Sequence, residues 1–266
     1  MEVSVVTVVY NKPEFIKFHK LLLEKFLKND FDYFVYDNSD NDSDSNRIRQ
    51  TCSSLGVKYH RIPQNIFHGG GDSYRAGLSL DYSIKNNLEN YESDFMLILD
   101  SDMFLYKDLE IKEYIGDTGL MGIYQTRGDV FYYTNQLCVV NLSKCHNFKD
   151  EVKFLPGEIR GNMTDCGGFL FEYINKYGIT NKDIPSKIHS GTMNDSNIKT
   201  LLENREELKE FFETDIHLMG GKSFSEVFDP FFHFRAGSNW INFGIDISKE
   251  RELNLFNLFD RLLKNK

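Results

Sequence analysis

Short apolar runs alternate with amphipathic stretches from residue 3 to residue 105. Val3 to Val9 reads VSVVTVV, a β-branched run with apolar residues on both faces, as in a strand buried within a parallel sheet. Tyr33 to Tyr36 and Phe95 to Leu99 are further apolar runs of strand length, and Val57 to Arg61 reads as a strand between them. Between them Phe15, Phe18, Leu22 and Phe26 fall on one helical face, with Asn11 as cap and Pro13 in the first turn. A short helix after the polar run Asn38 to Ser45 stops at Gly56, and a third helix runs from Asp72 to about Asn87. Strand and helix in alternation predict an α/β fold: a Rossmann-like, doubly wound and mostly parallel sheet.

Beyond residue 105 the pattern loosens. Gly119 to Gln125 and Val130 to Val140 read as strands, and Thr164 to Tyr177 as an amphipathic helix. Residues 181–210 are polar and lean towards helix, as a lid would. Phe231 to Arg235 is a short apolar strand carrying His233, and Ser248 is placed to cap a last helix.

The run Phe95 to Leu99 ends in Asp100-Ser101-Asp102. Ligands bind beyond the carboxyl ends of strands in open α/β sheets, so both carboxylates stand where a site is expected. Spacing i, i+2 in extended chain puts them on one side, suited to a hard divalent cation, Mn²⁺ or Mg²⁺, with positions left for phosphate oxygens. The same spacing at Asp30/Asp32, Asp40/Asp42 and Asp42/Asp44 follows no apolar strand and reads as solvated turn.

Composition narrows the partners. At 41% hydrophobic and 27% charged residues the chain is an ordinary globular one. A net charge of −9 argues against a nucleic-acid surface, which needs a basic stripe. It suits a site whose positive charge arrives with a metal ion. Cys52, Cys138, Cys145 and Cys166 lack metal or redox spacing, and neither a signal peptide nor a membrane span is legible, so a cytoplasmic protein with reduced thiols is expected.

Four segments carry a family likeness. Val9-Tyr10-Asn11 closes the first strand, and Asp37 the second, within Val35-Tyr36-Asp37-Asn38-Ser39. Asn65, Gly69, Gly70 and Gly71 follow the third, with Phe67 standing where glycine is usual, and Asp100-Ser101-Asp102 follows the fourth. In this order they resemble the nucleotide-sugar half of GT-A glycosyltransferases, particularly the large family 2 type. The resemblance covers residues 3–105 and implies a GT-A fold and transfer of a sugar from a nucleotide donor, UDP or dTDP, to a glycan hydroxyl. It implies Asp37 as reader of the nucleobase or ribose, Asp102 as a metal ligand, Asp100 as reaching the metal or the donor ribose, and a late His, here His233, as completing the metal shell. The chain then divides into a nucleotide-sugar-binding half, 1–125, and an acceptor-binding half, 126–266, of one domain.

Chemistry adds the remaining candidates. Glycines 69–71 admit close approach of backbone N–H groups to donor oxygens near a helix start. Arg75, Lys222 and Arg235 are available to phosphate, and Trp240 to a sugar face. Inversion needs a carboxylate to deprotonate the acceptor. Asp165, beside Gly167-Gly168, is one candidate and doubles as a helix N-cap; Glu158 is the other. A haloacid-dehalogenase-like phosphatase would carry its D-x-D on the first core strand, and an inactive GT-A scaffold binding carbohydrate or nucleotide would not need both aspartates.

Overall fold

The computed structural model describes residues 2–67, 69, 71–86, 92–191, 200, 202–235 and 245–264. In chain order the elements are β1 (Val3–Val9), α1 (Pro13–Phe26), β2 (Phe31–Asp37), α2 (Asp42–Ser54), β3 (Lys58–Arg61), α3 (Asp72–Asn86), β4 (Phe95–Leu99) and β5 (Met103–Leu105). There follow α4 (Ile111–Ile115), β6 (Leu120–Arg127), β7 (Val130–Asn141), α5 (Phe148–Glu151), β8 (Glu158–Ile159), β9 (Asn162–Met163), α6 (Leu170–Tyr177) and β10 (Asn181–Asp183). The last are α7 (Glu206–Leu218), β11 (Glu226–Phe228), β12 (Phe231–His233) and α8 (Ile245–Lys264). They gather into two compact units: residues 1–20, 28–101 and 110–185, and residues 21–27, 102–109 and 186–266. Residue 125 lies inside β6. Among the described residues no helix is long and apolar enough to cross a membrane.

The first unit holds a seven-stranded sheet ordered β10-β6-β7-β4-β1-β2-β3. β1 pairs in parallel with β2 and with β4, and β2 with β3, whereas β7 runs antiparallel between β4 and β6. The predicted mostly parallel α/β sheet is therefore present. Its physical basis is visible in β1 and β4, whose side chains are buried almost throughout because neighbours cover both faces. Val6, Phe34, Ile84, Met96, Val140 and Leu170 join one core. Burying such side chains stabilises by roughly 1.5–3 kcal/mol each relative to exposure. Strands leave β1 towards β2 on one side and β4 on the other, which makes the carboxyl ends of β1 and β4 the topological switch point.

In the second unit β11, β12 and β5 form an antiparallel sheet. Aromatic edges pack it: Phe211 meets Phe232 with ring centroids 4.9 Å apart, and Phe104 meets Phe259 at 4.4 Å. A buried ion pair, Arg251 Nε to Asp215 Oδ1 at 2.6 Å, ties α8 to α7.

Several local expectations need correction. α1 starts at Pro13, so its cap position belongs to Lys12; Asn11 lies before it with φ +55°. α2 begins inside the polar run, because Asn41 adopts extended backbone and accepts the Asp44 N–H. α6 begins at Leu170, not Thr164, because Gly167 takes φ +96° and turns the chain first. Asn181–Asp183 is an exposed edge strand on β6, not helix. Ser248 lies inside α8, whose first described residue is Ile245.

Candidate active site

At the carboxyl ends of β1 and β2 the polar side chains organise one another. Asp37 is fully buried. Its Oδ1 accepts the Ser39 N–H at 2.8 Å, and its Oδ2 accepts the Tyr59 hydroxyl at 2.9 Å and faces Arg61 Nη1 at 3.0 Å. The expected reader of the base is thus the residue that shapes the turn after β2, with its own oxygens engaged inside the protein. Ser39 Oγ in turn accepts the Asn11 N–H at 3.1 Å, which joins the two strand ends. Solvent reaches Tyr10 and Asp40 instead. The Tyr10 hydroxyl donates to Asp40 Oδ2 at 2.9 Å, a bond that holds the Asp40 carboxyl below its usual range.

Arg75, in the first turn of α3, is fixed rather than solvated. Its Nε donates to Asn38 Oδ1 at 3.1 Å, and its Nη2 to the Asn38 carbonyl and to Gln64 Oε1, both at 2.9 Å. The guanidinium carbon lies 4.5 Å from the Phe67 ring centroid and 5.5 Å from that of Tyr10. Phe67, the departure from glycine in the family pattern, therefore has a place: it supports Arg75. Asn65 is exposed in the turn Gln64–Ile66, and Gly69 and Gly71 are exposed, Gly69 with φ +77°. Gly70 and Trp240 lie outside the described residues.

At the end of β4, Asp100 Oδ1 accepts the Ser101 N–H at 2.7 Å, and Ser101 itself is buried. Burial first, and then the negative charges of Asp100, Asp165 and Asp81, push the Cys166 thiol far up. The buried thiol is therefore held in its protonated, unreactive form. Asp165 is exposed on the turn before α6, five residues ahead of that helix, so the N-cap role does not apply. Its Oδ1 takes the Cys166 N–H at 2.8 Å and the Ser73 hydroxyl. Glu158 is exposed on the β8–β9 hairpin.

The second unit brings together Asp102 and His233. Met103 pairs with His233 across β5 and β12, and the Phe234 N–H donates to the Asp102 carbonyl at 2.9 Å. His233 Nε2 then lies 3.3 Å from Asp102 Oδ1, and its Nδ1 lies 2.8 Å from Glu226 Oε2. Burial alone favours neutral imidazole, but Asp102 and Glu226 outweigh it and hold His233 well above its usual pKa. A single positive charge is thus held between two carboxylates. Glu226 was absent from the sequence-derived candidates. The signal was there: Asp229-Pro230 is a turn pair, and folding the chain back at it sets Glu226 opposite His233.

An implied metal can be tested against this donor set. Two ligand atoms about 2.1–2.3 Å from one ion, at a right angle, are about 3 Å apart, close to the Asp102–His233 separation. Hard oxygen with imidazole suits Mn²⁺, and a carboxylate on the far ring nitrogen is the usual support of a metal-bound His. Among the described residues no group of three or more such side chains is arranged to hold an ion, so the pair supplies a half-site. Lys222 is exposed, and Arg235 lies 3.7 Å from Glu226 Oε1.

No family model and no curated protein matches the sequence. Solved structures do resemble it. One is the mannosyltransferase PcManGT from Pyrobaculum calidifontis, in complex with GDP-Man and Mn²⁺: 11% identity over 68% of this chain and 54% of that one, TM-score 0.46. Another is glucosyl-3-phosphoglycerate synthase from Mycobacterium tuberculosis, at 13% identity over 68% of each chain, TM-score 0.40. A third is the galactosyltransferase LgtC with donor and acceptor sugar analogues, at 15% identity over 66% and 65%, TM-score 0.36. All three are glycosyltransferases. The likeness is a distant one. This chain spans about half the length of the Pyrobaculum enzyme.

Proposed function

We propose that the chain is a metal-dependent glycosyltransferase that moves a sugar from a nucleoside-diphosphate sugar, UDP or dTDP first, to a glycan hydroxyl with inversion. The observation that carries the reading is positional. Tyr10 and Asp100 close β1 and β4 at the switch point of the sheet, where α/β folds bind ligands, and a pre-arranged Arg75 stands beside Tyr10. Tyr10, Asp40 and Arg75 present a ring face, an acceptor and a cation to a nucleoside. Asn11, Asn65, Gly69 and Gly71 supply backbone or amide groups around it. Asp102 and His233 would supply two ligands to Mn²⁺ or Mg²⁺, and Asp100 is the further candidate for the metal or the donor ribose. Held there, a divalent ion would offset the charge that builds on a departing diphosphate. Asp165 accepts the proton of the acceptor hydroxyl, with Glu158 the alternative. The donor side is then mainly residues 1–125 and the acceptor side mainly 126–266.

Two measurements test this. Release of free nucleotide from UDP-glucose, UDP-galactose, a dTDP-sugar and GDP-mannose, with and without Mn²⁺, identifies the donor. Thermal unfolding with UDP or dTDP at about 100 times Kd should show a stabilisation of about 2.7 kcal/mol with Mn²⁺ and little in EDTA. Equal stabilisation in EDTA removes the metal from the reading, and none of these nucleotides binding under either condition overturns it.

A further inference from the structure

Ser73, Gly77 and Asp81 follow one another at i, i+4 and i+8 and so share one face of α3. Each touches the same distant segment. The Ser73 hydroxyl donates to Asp165 Oδ1 and accepts the Cys166 N–H at 3.1 Å. Gly77 lies so close to residue 154 that a Cβ would stand 2.6 Å from the Phe154 carbonyl oxygen. Asp81, only 5% exposed, accepts the Phe154 N–H at 2.6 Å. The Phe154 carbonyl passes the constraint on, accepting the Gly167 N–H at 2.7 Å and the Cys166 thiol at 3.1 Å. Both peptide groups of residue 154 are therefore gripped, one by α3 and one by the turn that carries Asp165.

We propose that Ser73, Gly77 and Asp81 form a positioning device that holds the carboxylate of Asp165 for the acceptor. The proposal rests on the reading of Asp165 as the base. Asp165 lies on a turn between short elements, where precision is poor, and a base must lie within hydrogen-bond reach of the proton it takes. The device moves that precision onto a four-turn helix: Ser73 fixes Oδ1 directly, and Asp81 fixes the turn through Phe154. Oδ2 receives no hydrogen bond among the described residues and is left for the acceptor. Asp81 is buried away from the reacting groups, so it acts as a positioning residue and not as a catalytic one. A carboxylate without a role there would be replaced at little cost by an apolar side chain, since burial works against its charged form.

The test uses the full chain, Mn²⁺ and whichever of UDP-glucose, UDP-galactose, the dTDP-sugar and GDP-mannose the donor screen selects. Ser73→Ala and Asp81→Ala should each lower kcat about 10–100-fold, with donor KM and nucleotide Kd nearly unchanged. Asp81→Asn keeps an acceptor for the Phe154 N–H and should restore most of the rate. Ser73→Ala should add nothing in an Asp165→Asn background, as a double-mutant cycle requires for a residue acting through another. In Asp81→Ala the Cys166 and Gly167 amides should exchange at least about ten times faster, while amides of β1 and β4 keep their protection. If Asp165→Asn suppresses transfer but Ser73→Ala and Asp81→Ala leave kcat and exchange untouched, the positioning proposal falls alone. If Asp165→Asn leaves transfer intact, the reading of the base falls and this proposal with it. Should Asp81→Ala fail to fold, Ser73→Ala and the cycle still decide, because that hydroxyl is partly exposed.

Discussion

At the scale of single residues, the two halves of Asp100-Ser101-Asp102 have different surroundings, and their substitution has different consequences. Asp102 and His233 offer an oxygen and a nitrogen 3.3 Å apart, and Glu226 fixes the ring from behind. Asp102→Asn should abolish turnover while the fold persists, because an amide is a far weaker ligand for a hard cation. Glu226→Ala should keep both ligands but lower Mn²⁺ affinity about 10–100-fold, as expected when the support of a ligating His is removed. Titration with Mn²⁺ followed by electron paramagnetic resonance reads this directly, without substrate. Unchanged affinity in both variants would exclude this pair as the metal half-site. Asp37 illustrates the opposite case. An acidic residue at a strand end reads as a ligand group in sequence, yet three internal partners claim its oxygens.

At the scale of elements, α3 packs against residue 154 with no room for a side chain at Gly77. Replacing a helical glycine by alanine ordinarily stabilises by about 1 kcal/mol. Gly77→Ala should do the reverse, by about 1–3 kcal/mol, because the contact at 2.6 Å is with backbone that has no rotamer to change. A chemical denaturation midpoint equal to or above wild type would show that α3 and residue 154 separate easily. The same elements show what the sequence discloses. Strands β1, β2 and β4 were legible because both faces are apolar, and each leads to a polar residue that marks its end. The start of α6 was not, since the left-handed turn at Gly167 is set by its close approach to the Tyr133 carbonyl, a contact far away in sequence. β5, β11 and β12 are three residues each, too short for periodicity to speak. Hence Asp102 and His233 were named from spacing and resemblance, while Glu226 and Ser73, defined by pairing and packing, emerged only from the fold.

At the scale of the whole molecule, a buried carboxylate links function to stability. Asp81 has its pKa raised to about 6, first by burial, against which the Phe154 N–H, Lys85 and Lys153 work. Lys85 Nζ stands 3.8 Å from Asp81 Oδ2 on the same helix, and the Cys166 thiol faces Asp81 from the segment packed against it. A folded-state pKa above the unfolded one means that the folded chain binds the proton more tightly. The corresponding stability is fully present below the unfolded value, near 4, and is lost as pH rises through about 6. At neutral pH the charged Asp81 therefore destabilises the fold by up to about 3 kcal/mol, since each pKa unit corresponds to about 1.4 kcal/mol. Asp81→Asn keeps the acceptor for Phe154 and removes the titration. Its melting temperature should exceed that of wild type at pH 7.5, by an amount that shrinks steadily towards pH 4.5. A difference that is constant across this range would show that Asp81 ionises normally in the fold. A variant that is more stable and yet transfers sugar as fast as wild type would match the positioning role, in which the oxygen acts and the charge does not.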